Sequence, residues 1–360
     1  MRILVDVAHP ANVHYFKNFI FEMTAKGHRF HITARDKDVT FQLLEELEIP
    51  FHGMGKGVLG KGILGKILYV IYADFLMFKQ FIKFRPDIIL SFSSSYAAHN
   101  CFLFNRPHIT FEDTEHATAN MLLYKPFSDM ILTPISFYKD MGKNHFKFQG
   151  YMELFYLHKK RFIPDGALLR PLGIDVSKPF VVFRYVSWGA FHDLGQQGLS
   201  QNDKIRLVKV AKRYANVFVS SEGEIPDELK EYQLKIKAND IHHVLALSDL
   251  YVGEGGTMAS ECAMLGTPSI YVNSLPLMGY LKDAKDNELL YHLSDYEEIK
   301  RVLIDILKNQ LEKPGYYKRQ RDKFLHGMIE PSSFLIWLIE NYPNSKEILK
   351  KSPEYQNNFK

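Results

Sequence analysis

The stretch Leu250–Pro268, LYVGEGGTMASECAMLGTP, contains the pattern that decides the fold. A short apolar strand is predicted over Leu250–Val252, and it runs directly into a glycine-rich turn that is followed by a helix beginning near Thr257. The residues Gly266-Thr-Pro268 end that helix and lead into another strand. A strand, a tight glycine turn and a helix in this order form the repeating unit of a parallel α/β sheet.

The same turn predicts an anion site. Glycines let backbone N–H groups approach an anion, and a helix N-terminus adds free donors and its dipole. Thr257 is placed either to cap the helix or to bind a phosphate oxygen, and Glu261 lies one turn further on, within reach of a ribose diol. The alternative is a tight turn with a solvated glutamate. The candidate residues of this anion site are Gly255, Gly256, Thr257, Met258 and Glu261.

Strand and helix signals alternate along the whole chain. In the first half, strands are predicted at Arg2–Val7, His28–Ala34, Asp87–Ser91, His108–Phe111 and Met130–Thr133, and helices at Phe16–Lys26 and Val39–Leu47. In the second half, strands are predicted at Phe180–Tyr185, Val217–Ser220, Leu250–Val252 and Ser269–Val272, and helices at Asp203–Tyr214, Ile241–Leu247, Met258–Leu265 and Tyr296–Asn309. Short apolar strands separated by helices predict parallel sheets with helices on both faces.

This alternation predicts two doubly wound α/β domains that face each other across a cleft. We expect an N-terminal domain over residues 1–155, a linker region over 156–178 and a C-terminal domain over 179–330. An apolar, capped helix follows within residues 331–345, and residues 346–360 form a polar tail that we expect to fray. In such sheets ligands bind outside the carboxyl ends of the strands, so the loops that follow strands are where chemistry is expected.

Composition narrows the class of protein. The chain has 360 residues, with 46% hydrophobic and 24% charged residues, which are globular values for two domains of ordinary size. A net charge of +4 is too small to indicate nucleic acid as the main partner. The two cysteines, Cys101 and Cys262, form no metal or redox spacing, which fits a reducing cytosol. Because the N-terminus enters a strand at once, we predict no signal peptide.

Two histidines follow the first strand, in the sequence VAHPANVHYF over residues 7–16. Asn12 is a good N-cap for the next helix, and His14 would then lie in its first turn and face the cleft. A helix N-terminus disfavours the imidazolium form, so a neutral His14 could accept a proton, and His9 is the rival base. A structural role for either histidine is the alternative.

Acidic side chains crowd the end of a third strand. Glu112, Asp113, Glu115 and His116 follow the predicted strand His108–Phe111. Glu112 or Glu115 could act as the base, or could orient an imidazole or the hydroxyls of an acceptor. The alternative is that Asp113 caps the next helix and the other side chains are solvated.

Several of these segments resemble those of GT-B glycosyltransferases, especially the peptidoglycan N-acetylglucosaminyltransferase, and of non-hydrolysing UDP-GlcNAc 2-epimerases. The glycine turn and Glu261 match that superfamily's nucleotide-sugar site, and RPDIILSFSSSYAA over residues 85–98 is similar to the transferases' strand and loop. The resemblance is closest to an uncharacterised domain family within the superfamily, with segments like HPANVH, DTEHA, VSWGAFHD and EGGTMASE, and it spans most of residues 1–340.

The resemblance implies a GT-B fold, a UDP-sugar donor in the second domain and a C-terminal helix that crosses back to the first domain. His14 aligns with the transferase's candidate catalytic histidine, although the paired glycines of that motif are missing here. Relatives bind phosphate through the loop after Phe180–Tyr185 and hold the base near a short helix. The residues that this adds to the donor site are Arg184, Ser187, Ser221 and His243.

The stretch GMGKGVLGKGILGK over residues 53–66 fits the phosphate-binding pattern GxxxxGK twice, but neither copy has the Ser or Thr that would hold Mg²⁺. Between Ile49 and Arg85 the chain carries six Lys or Arg and one acid, Asp74, beside an apolar aromatic helix predicted over Ile67–Phe84. A packed helix and an interfacial membrane face are both compatible with this pattern. The residues predicted to contact the acceptor or a membrane are Lys56, Lys61, Lys66, Ser94 and Tyr96.

Together these observations predict a metal-independent glycosyltransferase that moves a sugar from a UDP-linked donor to a glycan or lipid-linked acceptor in cell-surface polysaccharide synthesis. We expect a cytoplasmic protein with peripheral contact at the inner face of the membrane, no cofactor and no nucleic-acid partner. Asp36-Lys-Asp38 formally matches a DxD metal motif but fits a helix cap better. A UDP-sugar 2-epimerase and a non-catalytic nucleotide-sugar-binding protein are the alternatives.

Overall fold

The computed structural model describes residues 1–56, 62–186 and 199–360. The chain divides into two compact units. Unit 1 comprises Met1–His158 together with Gly327–Lys360, and unit 2 comprises Lys159–His326. Each unit is built on its own parallel sheet, so the predicted pair of doubly wound α/β units is confirmed.

Unit 1 contains a seven-stranded parallel sheet with the order β3-β2-β1-β4-β5-β6-β7. Its strands are β1 (Arg2–Val7), β2 (Arg29–Ala34), β3 (Phe51–Gly53), β4 (Ile88–Phe92), β5 (His108–Phe111), β6 (Met130–Pro134) and β7 (His145–Phe148). Its helices before residue 158 are α1 (Pro10–Ala25), α2 (Thr40–Glu46), α3 (Gly62–Phe84), α4 (Ser95–Leu103), α5 (Thr118–Tyr124) and α6 (Leu154–Leu157). The strand order reverses between β1 and β4, which makes their carboxyl ends the expected ligand position in this sheet.

The apolar residues of the strands and helices form the core of unit 1. Leu4 on β1 and Ile89 on β4 are fully buried, and α3 packs against them through Tyr69, Met77 and Phe81. Strands β3 and β7 were not predicted, because they have only three and four residues, too few to establish a periodic pattern. Both are edge strands of the sheet, where pairing with one neighbour is enough.

Unit 2 contains a five-stranded parallel sheet with the order β12-β11-β10-β8-β9. Its strands are β8 (Phe180–Tyr185), β9 (Asn216–Ser221), β10 (Leu250–Gly253), β11 (Ser269–Val272) and β12 (Leu290–Leu293). Its helices are α7 (Gln201–Ala211), α8 (Ile241–Leu247), α9 (Gly256–Leu265), α10 (Gly279–Asp286), α11 (Tyr296–Glu312) and α12 (Tyr316–Phe324). In this sheet the strand order reverses between β8 and β10.

The chain passes from unit 1 to unit 2 between His158 and Lys159, within the segment predicted as a linker. Much of that segment is nevertheless folded. Tyr156 is buried at the end of α6 in unit 1, and a 3-10 turn at Gly166–Leu172 packs against α8 in unit 2. Glycines and prolines in this segment therefore mark turns and not a flexible connection.

The last residues of the chain return to unit 1 as α13 (Pro331–Glu340) and α14 (Asn344–Lys351). Helix α13 packs against α1, and the Glu330 carboxylate caps it by accepting hydrogen bonds from two backbone N–H groups. The prediction that residues 346–360 fray is wrong. Tyr355 stacks on Trp337 at 4.6 Å, and Gln356 hydrogen-bonds the backbone of edge strand β7. Aromatic residues within a polar segment anchor it.

Candidate functional site

The glycine turn of unit 2 lies at the point where the strand order reverses. Strand β10 ends at Gly253, which pairs in register with Arg184 on β8, and α9 begins three residues later. The N-cap of α9 is Gly255, not Thr257, and within the described ranges no side chain hydrogen-bonds the first turn. The N–H groups of that turn are therefore available to an anion.

One glycine of this turn is required by its neighbour. A Cβ at Gly253 would lie 2.2 Å from the Tyr251 hydroxyl, which no side-chain carbon can tolerate. At Gly256 a Cβ would make only ordinary contacts of 3.4–3.7 Å, with Leu281 and the hydroxyls of Tyr271 and Tyr280. The Tyr251 hydroxyl is fully buried and has no hydrogen-bond partner among the residues that the structure describes. A polar ligand atom at the turn could accept a hydrogen bond from the Tyr251 hydroxyl and so remove the free-energy cost of leaving this buried donor unpaired.

Glu254 is a residue of this site that the sequence pattern did not reveal. Its carboxylate is almost fully buried and accepts hydrogen bonds from the backbone N–H groups of Val186 and Leu199, at 3.0 and 3.2 Å. It also forms an ion pair with Lys204, whose Nζ lies 3.0 Å from Oε1. Glu254 thus joins the end of the β8 region to the start of the α7 region. Ser187 and the rest of residues 187–198 lie outside the described residues.

The other predicted donor-site residues of unit 2 are engaged with protein groups. Glu261 is buried and lies 3.0 Å from Nε2 of His242. His243 packs on Phe162, and its Nδ1 accepts a hydrogen bond from the Asp165 N–H. Their roles toward a nucleotide stay predictions.

Arg184 supplies positive charge beside the glycine turn. Its guanidinium donates to the Ser220 hydroxyl at 2.7 Å and to Glu222 at 2.9 Å. Ser221, the predicted neighbour, is only half-buried and ends β9. A phosphate would have to compete with Glu222 for this arginine, a feature that the strand pattern alone did not predict.

In unit 1, a group of buried carboxyls follows β5. Glu112 is held rigidly, because Oε2 accepts from the Ser93 and Tyr124 hydroxyls at 2.7 and 2.6 Å and Oε1 accepts from the N–H groups of Asp113 and Thr114. Burial raises the pKa of Glu112, while these four donors oppose that rise. With all its lone pairs engaged, Glu112 is better suited to positioning this segment than to exchanging protons with a substrate.

Asp113 has the most perturbed acidity in this group. Burial and the nearby Glu112 and Glu153 carboxylates raise the pKa of Asp113 well above its usual value, and Glu115 adds to the effect. Glu115 and Glu153 are themselves buried. The alternative in which Asp113 caps the next helix is wrong, since the N-cap of α5 is Ala117 and no described side chain caps it. A carboxyl group with a raised pKa and other carboxyls beside it can divide acid and base roles.

The two histidines after β1 occupy other positions relative to helix α1 than the sequence predicted. Helix α1 begins at Pro10, so its N-cap is His9 and not Asn12. The Nδ1 of His9 accepts from the Ala11 N–H at 3.2 Å, and partial burial with nearby cations lowers the pKa of His9. His9 is therefore neutral with its proton on Nε2, which leaves no free lone pair for a base. His14 lies beyond the first turn, is buried and stacks on Tyr156 at 5.1 Å.

The residues predicted to contact an acceptor or membrane fall into two groups. Ser94 and Tyr96 are buried, Ser94 as the N-cap of α4, and their contact with an acceptor stays a prediction. Lys56 is exposed. Lys61 and the side chain of Lys66 lie outside the described residues. The loop between β2 and α2 does not use Asp36 or Asp38 as a cap, since the N-cap of α2 is Val39.

Neither a metal-binding cluster nor a membrane-spanning helix occurs among the described residues. In residues 1–56, 62–186 and 199–360, no cluster of three His, Cys, Asp or Glu side chains has the geometry to hold a metal ion. No described helix combines the length and apolar character needed to cross a bilayer.

Two parallel, doubly wound units of this kind define the GT-B fold, and solved structures share it. The UDP-GlcNAc 2-epimerase from Neisseria meningitidis, bound to UDP-GlcNAc, is similar with a TM-score of 0.66 and 11% identity, over 95% of this chain and 100% of that one. Spinosyn rhamnosyltransferase SpnG complexed with spinosyn aglycone has a TM-score of 0.62 and 15% identity, again over 95% and 100% of the two chains.

The chain belongs to the family described as protein of unknown function (DUF354), which matches residues 1–329. A protein of Methanocaldococcus jannaschii described as uncharacterized is 26% identical over 321 residues, which cover 86% of this chain and 92% of that protein. The predicted GT-B fold and the likeness to an uncharacterised family are confirmed. The closer relation to the peptidoglycan transferase stays a prediction.

Proposed function

We propose that this chain is a nucleotide-sugar glycosyltransferase whose unit 2 binds the diphosphate of a UDP-sugar at the N-terminus of α9. The observation that carries the proposal is the uncapped first turn of α9, which follows β10 where the strand order reverses. Glycines at this turn leave room for close backbone approach, and Arg184 lies on the strand alongside. The GT-B relatives that bind UDP-GlcNAc or thymidine diphosphate support a nucleoside diphosphate as the ligand.

Unit 1 would supply the proton-transfer groups. In a transfer reaction an acceptor hydroxyl attacks the anomeric carbon, the bond from that carbon to the diphosphate oxygen breaks, and a base takes the hydroxyl proton. We assign the base to Glu115 in preference to His14, because His14 is stacked on Tyr156 while Glu115 belongs to the carboxyl group after β5. Glu112 positions this segment. Metal independence is part of the proposal, with the α9 dipole and Arg184 balancing the charge of the leaving diphosphate.

A binding screen tests the donor site directly. Purified full-length protein would be titrated by calorimetry with UDP, thymidine diphosphate and guanosine diphosphate, each with and without Mg²⁺. We expect saturable binding of at least one nucleoside diphosphate that does not depend on Mg²⁺. If none binds, the proposal fails. If binding requires Mg²⁺, the metal-independent part fails.

A UDP-sugar 2-epimerase is the second candidate, and the carboxyl group after β5 favours it. Epimerisation needs an acid and a base at adjacent sugar carbons, and Asp113 with its raised pKa beside Glu115 and Glu153 could provide both. Incubation with UDP-GlcNAc and no acceptor separates the candidates. A new UDP-sugar epimer without release of UDP would replace the transferase proposal, whereas UDP release only when an acceptor is added would support it.

The acceptor side is proposed to touch an anionic membrane. The outer face of α3 exposes apolar side chains, of which Ile71 is 62% and Phe75 is 55% accessible. Neighbouring helices add Phe102 on α4 and Leu122 on α5. Lysines accompany this face, with Lys79 lying 4.3 Å from the Phe75 ring. An exposed apolar face with cations fits a peripheral site at the inner membrane surface, where a lipid-linked acceptor would be presented.

A further inference from the structure

An arginine outside the predicted site lies between two tyrosines in unit 1. Arg35 follows directly after β2, and its guanidinium carbon is 5.2 Å from the Tyr69 ring and 6.0 Å from the Tyr96 ring. Tyr69 is on α3 and Tyr96 is in the first turn of α4, so three elements converge on this side chain. The aromatic faces fix the position of the guanidinium plane.

The donors of this guanidinium are mostly unused. Its Nε is buried without a hydrogen-bond partner in the described part of the chain, and Nη2 makes only one long contact, 3.5 Å from the Tyr96 hydroxyl. A guanidinium has five N–H donors and is always charged. A purely structural arginine would normally meet carbonyl or carboxylate oxygens, because buried charged donors left unpaired are costly.

A buried carboxyl next to the arginine is also incompletely bonded. Asp6 on β1 is 1% exposed and accepts a 2.6 Å hydrogen bond from the Thr33 hydroxyl through Oδ1. Its Oδ2 forms no hydrogen bond to any residue that the structure describes. Asp6 and Arg35 interact electrostatically, so Asp6 stabilises the charged guanidinium. It does so without accepting hydrogen bonds from the guanidinium N–H groups.

Further cations surround this position. Lys37 lies in the same loop, and the charges of Lys37 and Arg35 both lower the pKa of His9. The backbone of Gly55 accepts a hydrogen bond from the Asp36 N–H, which places the exposed Lys56 beside the loop. Asp38 is the carboxylate near the His9 ring, at 4.0 Å. Outside the buried Asp6, the surroundings of Arg35 therefore hold two lysines, Lys37 and Lys56, and two carboxylates, Asp36 and Asp38, so that no net negative charge opposes an anion.

The arginine lies at the ligand-binding edge of its sheet. Asp6 and Arg35 are at the carboxyl ends of β1 and β2, beside the β1/β4 reversal. Strands β1 and β4 separate β2, which leads into Arg35, from β5, whose end carries Glu112. Three strand spacings correspond to about 14 Å. One extended substrate of about that length could therefore reach both Arg35 and the carboxyl group after β5.

We propose that Arg35, held between Tyr69 and Tyr96, binds an oxyanion, a carboxylate or a phosphate, carried by the second substrate. The inference rests on the proposed function, since that function defines what the second substrate is. The residues of the anion site itself all belong to unit 1. The anion accepts from the two Nη groups of Arg35 as a bidentate partner, while Nε stays buried. The acceptor is thereby an acidic glycan or a phosphorylated lipid or sugar, not a neutral glycan.

The test observes Arg35 itself. Full-length protein labelled with ¹⁵N-arginine gives one Nε–H resonance for each ordered arginine, and the Arg35 signal is assigned by its absence from the Arg35→Lys variant. Inorganic phosphate and glucuronate are titrated separately to about 20 mM, which covers sites as weak as about 1 mM. We expect the Arg35 signal to shift saturably with one of them while the exposed Arg106 signal does not. Saturation by phosphate identifies a phosphate group, and saturation by glucuronate a carboxylate.

A second measurement covers the case in which exchange broadens the Arg35 signal. The anion that raises the melting temperature of the wild type should give a smaller increase in Arg35→Gln. In the control Arg106→Gln, which has the same change in charge, the increase should equal that of the wild type. Equal increments in wild type and Arg35→Gln, or an Arg35 signal that neither anion moves, would overturn the proposal. UDP binding to Arg35→Gln, measured in parallel, separates the two proposals. If the anion acts on Arg35 but UDP does not bind, only the proposed donor site is refuted. If UDP binds but no anion acts on Arg35, only the proposed anion site at Arg35 is refuted.

Discussion

Replacing Gly255 with aspartate should change folding stability and nucleotide affinity in opposite directions. Gly255 is the N-cap of α9, with φ −93° and ψ 121°, a conformation that any residue adopts and that N-cap residues prefer. A Cβ there would meet Val186 and the Tyr251 hydroxyl at ordinary contact distances of 3.7 and 3.9 Å. The aspartate would therefore fit, and its carboxylate would accept from the N–H groups of the first turn.

The two effects have estimable sizes. A side-chain cap in place of glycine adds a few tenths of a kcal/mol, and a negative charge at the helix N-terminus adds about 0.3–1 kcal/mol. Against a bound diphosphate, the same charge at about 5 Å is repelled by about 1–3 kcal/mol for effective dielectric constants of about 20–60. That repulsion weakens UDP about 5- to 150-fold, and occupation of the N–H donors by the new cap weakens it further.

Urea unfolding and UDP calorimetry on the same preparations provide the assay. Gly255→Asp should unfold at equal or higher urea concentration than wild type and bind UDP at least about fivefold more weakly. Gly255→Asn is the matched control, because it caps the helix without the charge and should lose less affinity. Wild-type UDP affinity in a folded Gly255→Asp protein would place the diphosphate away from α9 and refute the reasoning.

Three further perturbations give separate expectations. Because the pKa of Asp113 is raised, its carboxyl keeps its proton in the native state, whereas the unfolded chain loses that proton above about pH 4. The free energy of unfolding should therefore fall by up to about 1.4 kcal/mol per pH unit between about pH 4 and the native pKa. Asp113→Asn should flatten this fall in urea unfolding measured from pH 4.5 to 8, and an unchanged slope would contradict the prediction. Glu254→Gln loses the ion pair with Lys204, and its single amide oxygen can accept from only one of the two backbone N–H groups that bond to separate carboxylate oxygens in the wild type. We therefore expect about 1–3 kcal/mol of destabilisation in urea unfolding, and no loss would show that Lys204 and the second N–H group find other partners. Replacing Ile71 and Phe75 with serine should reduce sedimentation with vesicles containing phosphatidylglycerol without weakening UDP binding, because both side chains are exposed; undiminished sedimentation would remove the membrane face.

The fold was predictable because its signals are local. Buried strands such as β1 and β8 are nearly continuous apolar runs, and the glycine turn after β10 is bounded by a strand and a helix. Elements with weaker local patterns were missed. Strand β7 has only four residues, and the ordered tail depends on tertiary contacts such as that of Tyr355 with Trp337. Such tertiary contacts override local composition.

Part of the candidate site could be chosen from residue type. Gly255, Gly256 and the carboxyls after β5 were selected because residue type alone suggests their chemistry. Glu254 and Arg35 were not, because their importance depends on partners that lie far away in sequence, such as Lys204 and Tyr96. The same limitation misassigned the cap of α1, since histidine is not a usual N-cap residue and only the geometry shows His9 in that role.

The return of Gly327–Lys360 to unit 1 has a consequence for how the protein is made. Unit 2 is inserted between the two parts of unit 1, so a ribosome finishes unit 2 before it has released the residues that complete unit 1. At synthesis rates of about 5–20 residues per second, edge strand β7 waits roughly 10–40 s for its hydrogen bonds to Gln356. During that interval the nascent chain presents an unpaired sheet edge, which is a binding site for chaperones and a hazard for neighbouring chains on the same polysome.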